Sequence, residues 1–425
     1  MRNIKEFLGN KHLQKKIWFT LGVLFVYLIG TSITVPGTNT ELMKGMFDGA
    51  SVFGLLNMMS GGALERMSVF ALGVSPYITA SIIIQLLSMD VIPALSEMKE
   101  DGEKGQAKMD KITRYLGLAL CFMQAYSLTY GFDKNYGVLV NPSISGYLFT
   151  ALVLSAGTMF LIWLGDQIDD YGVGNGLSLL IFAGIANGIP SQFMKTWTMT
   201  AGTAEGAAVA NGVFMFILYC IVYLAIIVFV VAMEMAVRRI PVQYAGHAAG
   251  MNMSYIPMKI NSASVIPVIF AQSVITVPQM IVSFFNAEVY HKMESFLSLS
   301  SWTGLLLYAV LIVAFEFFYT DLMLDPEKMA SDLKKANGYI PGVRAGKTTE
   351  KYIRKIMNRI TVFGTIFLLI LAVIPYLLPM ITPIPSTISL GGTGLIILVG
   401  VAMETIKEIE TLSHRKSYDR AWLTD

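Results

Sequence analysis

The chain has few charged residues, few cysteines and few histidines. Charged residues make up 14% of its 425 positions, whereas a soluble domain carries about 25%. Its two cysteines, Cys121 and Cys220, both lie in apolar runs and are too few for a disulfide framework or a zinc site. The four histidines are scattered over loops and tails without an HExxH pattern. The sequence therefore predicts neither a metal site nor a cofactor, and it offers no catalytic centre of a membrane-embedded protease.

Apolar residues are abundant, at 54% of the chain, and the mean hydropathy is +0.60. A helix that spans a membrane needs about 20 mostly apolar residues. On that basis we predict an all-α polytopic membrane protein with ten transmembrane helices. The predicted spans are 17–35, 73–89, 114–131, 147–165, 174–190, 212–235, 263–285, 302–324, 360–379 and 388–406. The first is expected to remain in the membrane, because it lacks the small-residue cleavage site of a signal peptide.

Lysine and arginine are distributed unevenly over the two sides that this topology defines. One side, which holds both termini, carries 26 of the 31 basic residues, and the other carries the remaining five. Cytoplasmic loops are enriched in Lys and Arg, so both termini are predicted to lie in the cytoplasm. The loop 166–172 is the exception on that side, because it contains Asp166, Asp169 and Asp170 but no basic residue.

Ten spans divide into an N-terminal half, 1–205, and a C-terminal half, 206–425, with five spans each. An odd number of spans makes two halves of the same fold inverted relative to each other. Inverted repeats commonly enclose a site or a path where they meet. The repeat is predicted from topology alone, because the two halves show no sequence identity that would establish it.

The stretch Ser60–Leu87 is unusual for a membrane protein. It opens with Gly61 and Gly62 and a charged pair, and Gly73 and Pro76 interrupt what would otherwise be one long helix. We predict a short helix over about 58–72, then a break, then the second span. Irregular backbone at membrane depth is tolerated only where it is buried in protein or lines a water-filled cavity.

Two cytoplasmic loops, 236–260 and 325–359, carry basic residues and turn-forming residues. They are interpreted either as a docking surface for acidic lipid, nucleic acid or protein, or as solvated loops that set the orientation. The run from Gly342 to Lys347 is not a nucleotide-binding loop, because three residues separate its glycines where four are required.

Ionisable residues within spans are costly and usually functional. Glu316 is the deepest, in the eighth span, whereas Glu234, Asp321 and Glu404 lie nearer the cytoplasmic ends. We interpret Glu316 as a structural residue or a residue at the lipid edge. An inverted-repeat secondary transporter remains an alternative function, although it would need more coupling charges at mid-membrane.

Seven motifs occur in order along the predicted spans. They are SGGAL at 60–64, FALGVSPYITASIIIQLL at 70–87, GNGLSLLIFAGI at 174–185, RRIPVQYA at 238–245, VIPVIFA at 265–271, GYIPGVRAG at 338–346 and GGTGLI at 391–396. Together they resemble the SecY/Sec61 alpha family, the central subunits of protein-conducting channels. The resemblance covers nearly the whole chain, from Phe19 to about Glu404.

The resemblance implies a pore closed by a ring of six aliphatic side chains and by a short plug. An apolar ring blocks ions by dewetting and presents no fixed charge to a passing chain. The matching ring positions are Val74, Ile78, Leu177, Ile181, Ile269 and Ile397. The plug positions are Ser60, Gly61, Gly62, Ala63, Leu64 and Arg66.

The resemblance also implies a lateral gate, at which spans two and three part from spans seven and eight. Thr79, Gln85, Gln272 and Ser273 fall on the gate helices. The two cytoplasmic loops correspond to docking hairpins for the SecA motor and the ribosome, with Arg344 as the main contact, followed by Arg238 and Arg239. In this chain Ala345 stands where the family often has proline, and the tip of the first hairpin lacks basic residues until Lys259.

The implied function is the passage of unfolded secretory chains across the bacterial cytoplasmic membrane and the lateral release of membrane segments into lipid. The implied partners are small SecE-type and SecG-type subunits, the SecA motor, the ribosome, signal peptides and nascent chains, and lipid. The channel itself is expected to be passive, without enzymatic activity or direct nucleotide binding. An accessory SecY-type paralogue with a restricted set of substrates remains an alternative.

Overall fold

A computed structural model describes residues 11–39, 57, 60–88, 92–202, 208–244, 254–261, 266–282, 296–299, 301–381 and 392–422. Each of the ten predicted spans overlaps a helix in these ranges. The spanning helices are α1 (Lys11–Gly30), α2 (Ser75–Leu87), α4 (Glu103–Tyr136), α5 (Ile144–Tyr171), α6 (Gly176–Trp197), α7 (Ala208–Met235), α8 (Ile266–Val282), α9 (Trp302–Met323), α11 (Lys347–Ile381) and α12 (Gly392–Trp422). Two short helices, α3 (Pro93–Glu100) and α10 (Pro326–Lys335), lie between them. The predicted all-α polytopic membrane fold is confirmed.

The helices differ in length and hydrophobicity. Within the described residues, six are long and apolar enough to cross a membrane unaided, and α2 and α8 are shorter apolar helices. Several helices extend beyond the predicted spans, notably α4 and α11, whose polar first turns precede the apolar segment. Apolar length alone therefore locates the membrane segment but not the ends of the helix.

Small polar residues begin several of the spanning helices. Ser143 accepts a hydrogen bond from the backbone N–H of Gly146 at the start of α5, at 3.2 Å. Asn175 does the same for Ser178 in α6 at 3.0 Å, and Ser301 for Gly304 in α9 at 3.1 Å. Each cap satisfies one of the backbone donors that a helix leaves unpaired at its N-terminus. Pro76, in the first turn of α2, lacks such a donor and suits the start of a helix.

The helices before residue 203 and those after residue 207 are in contact at several places. On one side α12 contacts α1 and α6, and on the other α8 contacts α2 and α4. A large apolar core runs between the two groups of helices. The proposed boundary at 205 falls in 203–207, outside the described residues, and the inverted relation of the halves stays a prediction.

The loops predicted at 236–260 and 325–359 form a small layer with a β-sheet, which the sequence did not predict. Strand β1 (Val237–Tyr244) pairs antiparallel with β2 (Ser254–Lys259) and with the short strand β3 (Gly338–Tyr339), in the order β2-β1-β3. Helix α10 and the first turns of α11 cover the sheet. The buried residues of this layer are Ile240, Val242, Met258, Leu333, Ile340, Ile353 and Met357. The layer thus has its own hydrophobic core.

The predicted short helix over about 58–72 is wrong for the described residues of that range. Residues 60–74 form a run of turns with a single bridge between Thr34 and Ser68. Gly61, Gly62, Met67 and Gly73 all have positive φ values, of 70°, 81°, 41° and 55°. A right-handed helix cannot continue through such residues. The predicted break before α2 is confirmed. We call residues 60–74 the turn segment.

Candidate pore, plug and gate

The six aliphatic side chains predicted to form the ring belong to one apolar cluster. Three are buried members of the main core, and three are partly buried and pack against it. The buried members are Val74, Ile181 and Ile397, and the others are Ile78, Leu177 and Ile269. Val74 immediately precedes α2 and the other five lie on α2, α6, α8 and α12, so both halves of the chain contribute to the cluster.

Helical spacing accounts for how these side chains are presented. Val74 and Ile78 are four residues apart, and the backbone N–H of Ile78 donates to the Val74 carbonyl at 3.1 Å. Leu177 and Ile181 are also four residues apart, near the start of α6. Residues at this spacing share one helix face. Two pairs of stacked aliphatic side chains therefore come from α2 and α6, and single ones come from α8 and α12.

The first part of the turn segment lies against α6. A Cβ atom added to Gly61 would lie 3.0 Å from Gly184 Cα, so these two backbones are close to contact. The side chain of Asn187 donates from Nδ2 to the Gly61 carbonyl at 3.2 Å. All the predicted plug positions except Gly62 and Arg66 are buried. Glycine at 61 is required both by its positive φ and by this approach.

The second part of the turn segment is joined to α5 and to the chain that leaves α1. The Val35 N–H donates to the Met67 carbonyl, and the Val69 N–H donates to the Ile33 carbonyl, both at 2.9 Å. Thr158 of α5 donates from Oγ1 to the Gly73 carbonyl at 3.1 Å. This half therefore has both backbone pairing and a buried side-chain bond.

Two of the four predicted gate residues contact each other across the seam between α2 and α8. The hydroxyl of Thr79 donates to that of Ser273 at 3.4 Å. Gln272 is buried beside them, whereas Gln85 is exposed near the end of α2, with Nε2 3.5 Å from Ser81 Oγ. An apolar cluster surrounds this seam, with Ile82 from α2, Phe270 from α8 and Tyr319 from α9.

Comparisons with known proteins identify the family of the chain. The SecY family model matches residues 68–406. The protein translocase subunit SecY of Halalkalibacterium halodurans is 43% identical over 427 residues, which cover 98% of each chain. The chain belongs to the SecY family.

Solved structures of protein-conducting channels share the fold of this SecY-family chain. The structure of a protein-conducting channel aligns with a TM-score of 0.64 at 19% identity, covering 94% of this chain and 92% of that one. Sec61 in the canine ribosome-channel complex from the endoplasmic reticulum aligns with a TM-score of 0.61, also at 19% identity, with the same coverage of the two chains.

The arginines predicted to dock partners of this SecY-family protein are exposed on the layer that contains the β-sheet. Arg238 and Arg239 lie on β1, and the Arg239 guanidinium stacks over the Tyr255 ring at 4.8 Å. Arg344 lies in the turn between β3 and α11, which Gly342 and Gly346 form with φ values of 81° and 97°. The Arg344 carbonyl accepts a hydrogen bond from Thr349 Oγ1 at 2.9 Å. This bond fixes the backbone of the turn, and Arg344 is exposed.

Glu316 does not lie at the lipid edge, so that part of its interpretation is wrong. It is fully buried, with 0% of its surface exposed, and neither carboxyl oxygen has a hydrogen-bond partner among the described residues. One oxygen lies 3.3 Å from where a Cβ of Gly364 would be, so the glycine leaves room for the carboxyl group. Glu316, the deepest of the predicted ionisable residues, is thus packed between α9 and α11.

Two polar residues of this SecY-family chain were missed by sequence reasoning. Thr158 and Asn187 each donate a hydrogen bond to the turn segment from a helix remote in sequence. Asn187 stands out in the otherwise apolar run LLIFAGIANGI, and that isolated amide was the available signal. Thr158 gave no comparable signal, because threonine commonly bonds to its own helix backbone.

Proposed function

We propose that this chain is the pore-forming subunit of a bacterial protein translocase and conducts unfolded polypeptides across the cell membrane. The observation that carries the proposal is the membership of six aliphatic side chains, contributed by both halves, in one apolar core of a SecY-family fold. A closed apolar constriction excludes ions because water and ions are unstable in it. The same constriction offers little resistance to chains of varied sequence, because it makes no specific polar contact.

The channel is passive and is not an enzyme. The energy for translocation comes from partners outside this chain, either a motor ATPase of the SecA type or the translating ribosome. A ribosome partner is supported by the likeness of the fold to Sec61 in its ribosome complex. We assign docking to the exposed arginines of the layer that contains the β-sheet, Arg344 first and then Arg238 and Arg239. SecE-type and SecG-type subunits are proposed as membrane partners.

Lateral release is assigned to the seam between α2 and α8. In the described residues the seam contains a weak hydroxyl pair, Thr79 and Ser273, beside the buried Gln272 and side chains that are mainly apolar. Interhelical hydrogen bonds in membranes contribute on the order of 0.6–2 kcal/mol each. A signal sequence or a membrane segment that inserts between the helices replaces these contacts with its own apolar surface.

Both termini and the layer that contains the β-sheet are assigned to the cytoplasm. Support comes from the excess of lysine and arginine on that side, 26 of 31. The family membership disfavours the secondary transporter, which would need more coupling charges at mid-membrane than Glu316. The housekeeping and accessory alternatives both remain within the proposed function.

Reconstitution tests the proposal directly. The chain is purified with its small membrane subunits, placed in liposomes and supplied with a SecA-type motor, ATP and an unfolded preprotein. Protease-protected preprotein is expected inside the liposomes and is expected to disappear when the motor or ATP is omitted. Uptake of a small solute by the chain alone, without protection of preprotein, would instead support a transporter.

A further inference from the structure

The two parts of the turn segment are held in different ways. Residues 67–73 are fixed by backbone pairing with residues 33–35 and by the bond from Thr158. Within the described part of the chain, residues 60–65 are joined to a spanning helix by one side-chain hydrogen bond, the one from Asn187 to Gly61. The remaining side-chain hydrogen bonds of these residues are local, such as that from the Glu65 N–H to Asn57 Oδ1 at 2.9 Å.

Helix α6 provides part of the surface that meets residues 60–65, of which Ala63 and Leu64 are also buried in apolar clusters. Gly184 and Asn187 are three residues apart and so share one face of the helix. The absence of a side chain at Gly184 lets the Gly61 backbone approach, and Asn187 donates to the carbonyl of the same glycine. Asn187 lies six residues beyond the ring residue Ile181, or about 9 Å farther along the helix axis.

From this geometry we propose that Gly184 and Asn187 are positioning residues that hold residues 60–66 in the closed state, and that residues 67–73 remain anchored when the channel opens. This inference rests on the proposed function, because it assigns residues 60–66 to the seal of the pore. Asn187 is a releasable contact because it makes a single neutral hydrogen bond from an exposed side chain. When this contact is released, residues 67–73 keep their backbone pairing with residues 33–35.

Two substitutions remove the contact in different ways. N187A removes the donor, and a net hydrogen bond of this kind changes an equilibrium by about two- to tenfold. G61A adds a Cβ that would lie 3.0 Å from Gly184 Cα, which is backbone and cannot move aside cheaply. Both variants are expected to raise the fraction of open channels, with G61A at least as strong as N187A.

The chain offers a matched control for each variant. Gly62 also has a positive φ, of 81°, but an added Cβ there would meet nothing within 4 Å. G62A therefore carries the same kind of backbone strain as G61A without the contact with α6. Ser191 lies on the same helix as Asn187, is exposed and bonds to the Gly188 carbonyl of its own helix. S191A is accordingly the control for N187A.

The experiment measures ion conductance per assembled channel in proteoliposomes without substrate, and export of a preprotein with a defective signal sequence. N187A is expected to raise both by about two- to tenfold over wild type and S191A. G61A is expected to exceed G62A in both. Thermal stability of the assembled complex should change little, because only a local contact with α6 is lost and the fold is kept. If N187A does not assemble, N187S is measured in its place with the same expectation, since its side chain is too short to reach Gly61.

Equal values for N187A and S191A, together with equal values for G61A and G62A, would overturn the proposal. The ring variant I181G, measured in parallel, separates this failure from a failure of the proposed function. If I181G leaks and N187A and G61A do not, the channel function is supported and the proposed holding role of α6 is rejected. No leak in any variant, with no protected preprotein in wild type, rejects the channel itself.

Discussion

The hydroxyl oxygens of Thr79 and Ser273 lie 3.4 Å apart, although 194 positions separate the two residues in the chain. Thr79 belongs to the first group of helices and Ser273 to the second, so this pair marks where the two groups meet on the side of α2 and α8. A weak contact at that place suits a seam that opens and closes.

A disulfide should lock this seam. In the double variant T79C/S273C, made in a background without Cys121 and Cys220, the two sulfur atoms replace hydroxyl oxygens that lie 3.4 Å apart, and a disulfide bond between them is about 2.0 Å long. Oxidation is expected to stop lateral release of an apolar segment, and a reductant should restore it. The measurement is photocrosslinking of the segment to lipid. Each single cysteine variant, oxidised in the same way, is the control, and release at the wild-type rate by the cross-linked channel would contradict the gate assignment.

The ring assignment predicts ion leakage. I78G and I181G each remove an aliphatic side chain from the constriction, so water and ions should enter the closed pore. We expect raised conductance in planar bilayers and relaxed selectivity for signal sequences. I221G is the control, because Ile221 of α7 is 57% exposed and lies outside the cluster. Wild-type conductance and selectivity in both ring variants would show that the ring is elsewhere.

Charge reversal at Arg344 should separate docking from assembly. R344E places a carboxylate on the exposed turn between β3 and α11, where a partner with an acidic face would be repelled. Motor-driven translocation is expected to fall strongly, while the amount of assembled complex stays constant. K351E provides a matched reversal at an exposed position of α11. SecA-driven transport at the wild-type level in R344E would count against docking at this turn.

Glu316 should cost stability. Leaving a buried polar group without a hydrogen-bond partner costs about 1–3 kcal/mol, so E316M, of similar volume, is expected to be more stable by an amount of that order. The change is measured as the temperature at which the purified complex unfolds, monitored by size-exclusion chromatography. E316Q keeps the shape and a polar group and is the matched comparison. A complex that is less stable with Met than with Gln would indicate a partner for Glu316 that lies outside the described residues.

The sequence predicted the spans well because apolar length is a local property. It also predicted the break before α2, since Gly73 and Pro76 act on their immediate neighbours. The short helix expected over 58–72 was wrong because a glycine pair can serve either a small-residue helix or a turn, and the close approach to Gly184 decides for the turn. Contacts between distant elements, such as Asn187 with Gly61, have no local signature.

The strands β1, β2 and β3 were missed for a related reason. β3 is two residues long, and β1 contains two arginines and a proline, so neither shows a clear alternating pattern. The sheet is stabilised by burial against α10 and α11, two helices that lie nearly a hundred residues later in the chain. The resemblance to a family supplied the ring and the gate positions, and no periodicity in this chain would have identified them.

The pairing of residues 33–35 with residues 67–69 bears on how the molecule is made. Synthesis begins at the N-terminus, so this backbone pairing can form as soon as residue 69 has emerged. Thr158 and Asn187 follow about 90 and 120 residues later. The contact of residues 60–66 with α6 is therefore complete only once the fifth spanning helix has been made, and the apolar ring is complete only once α12 has followed.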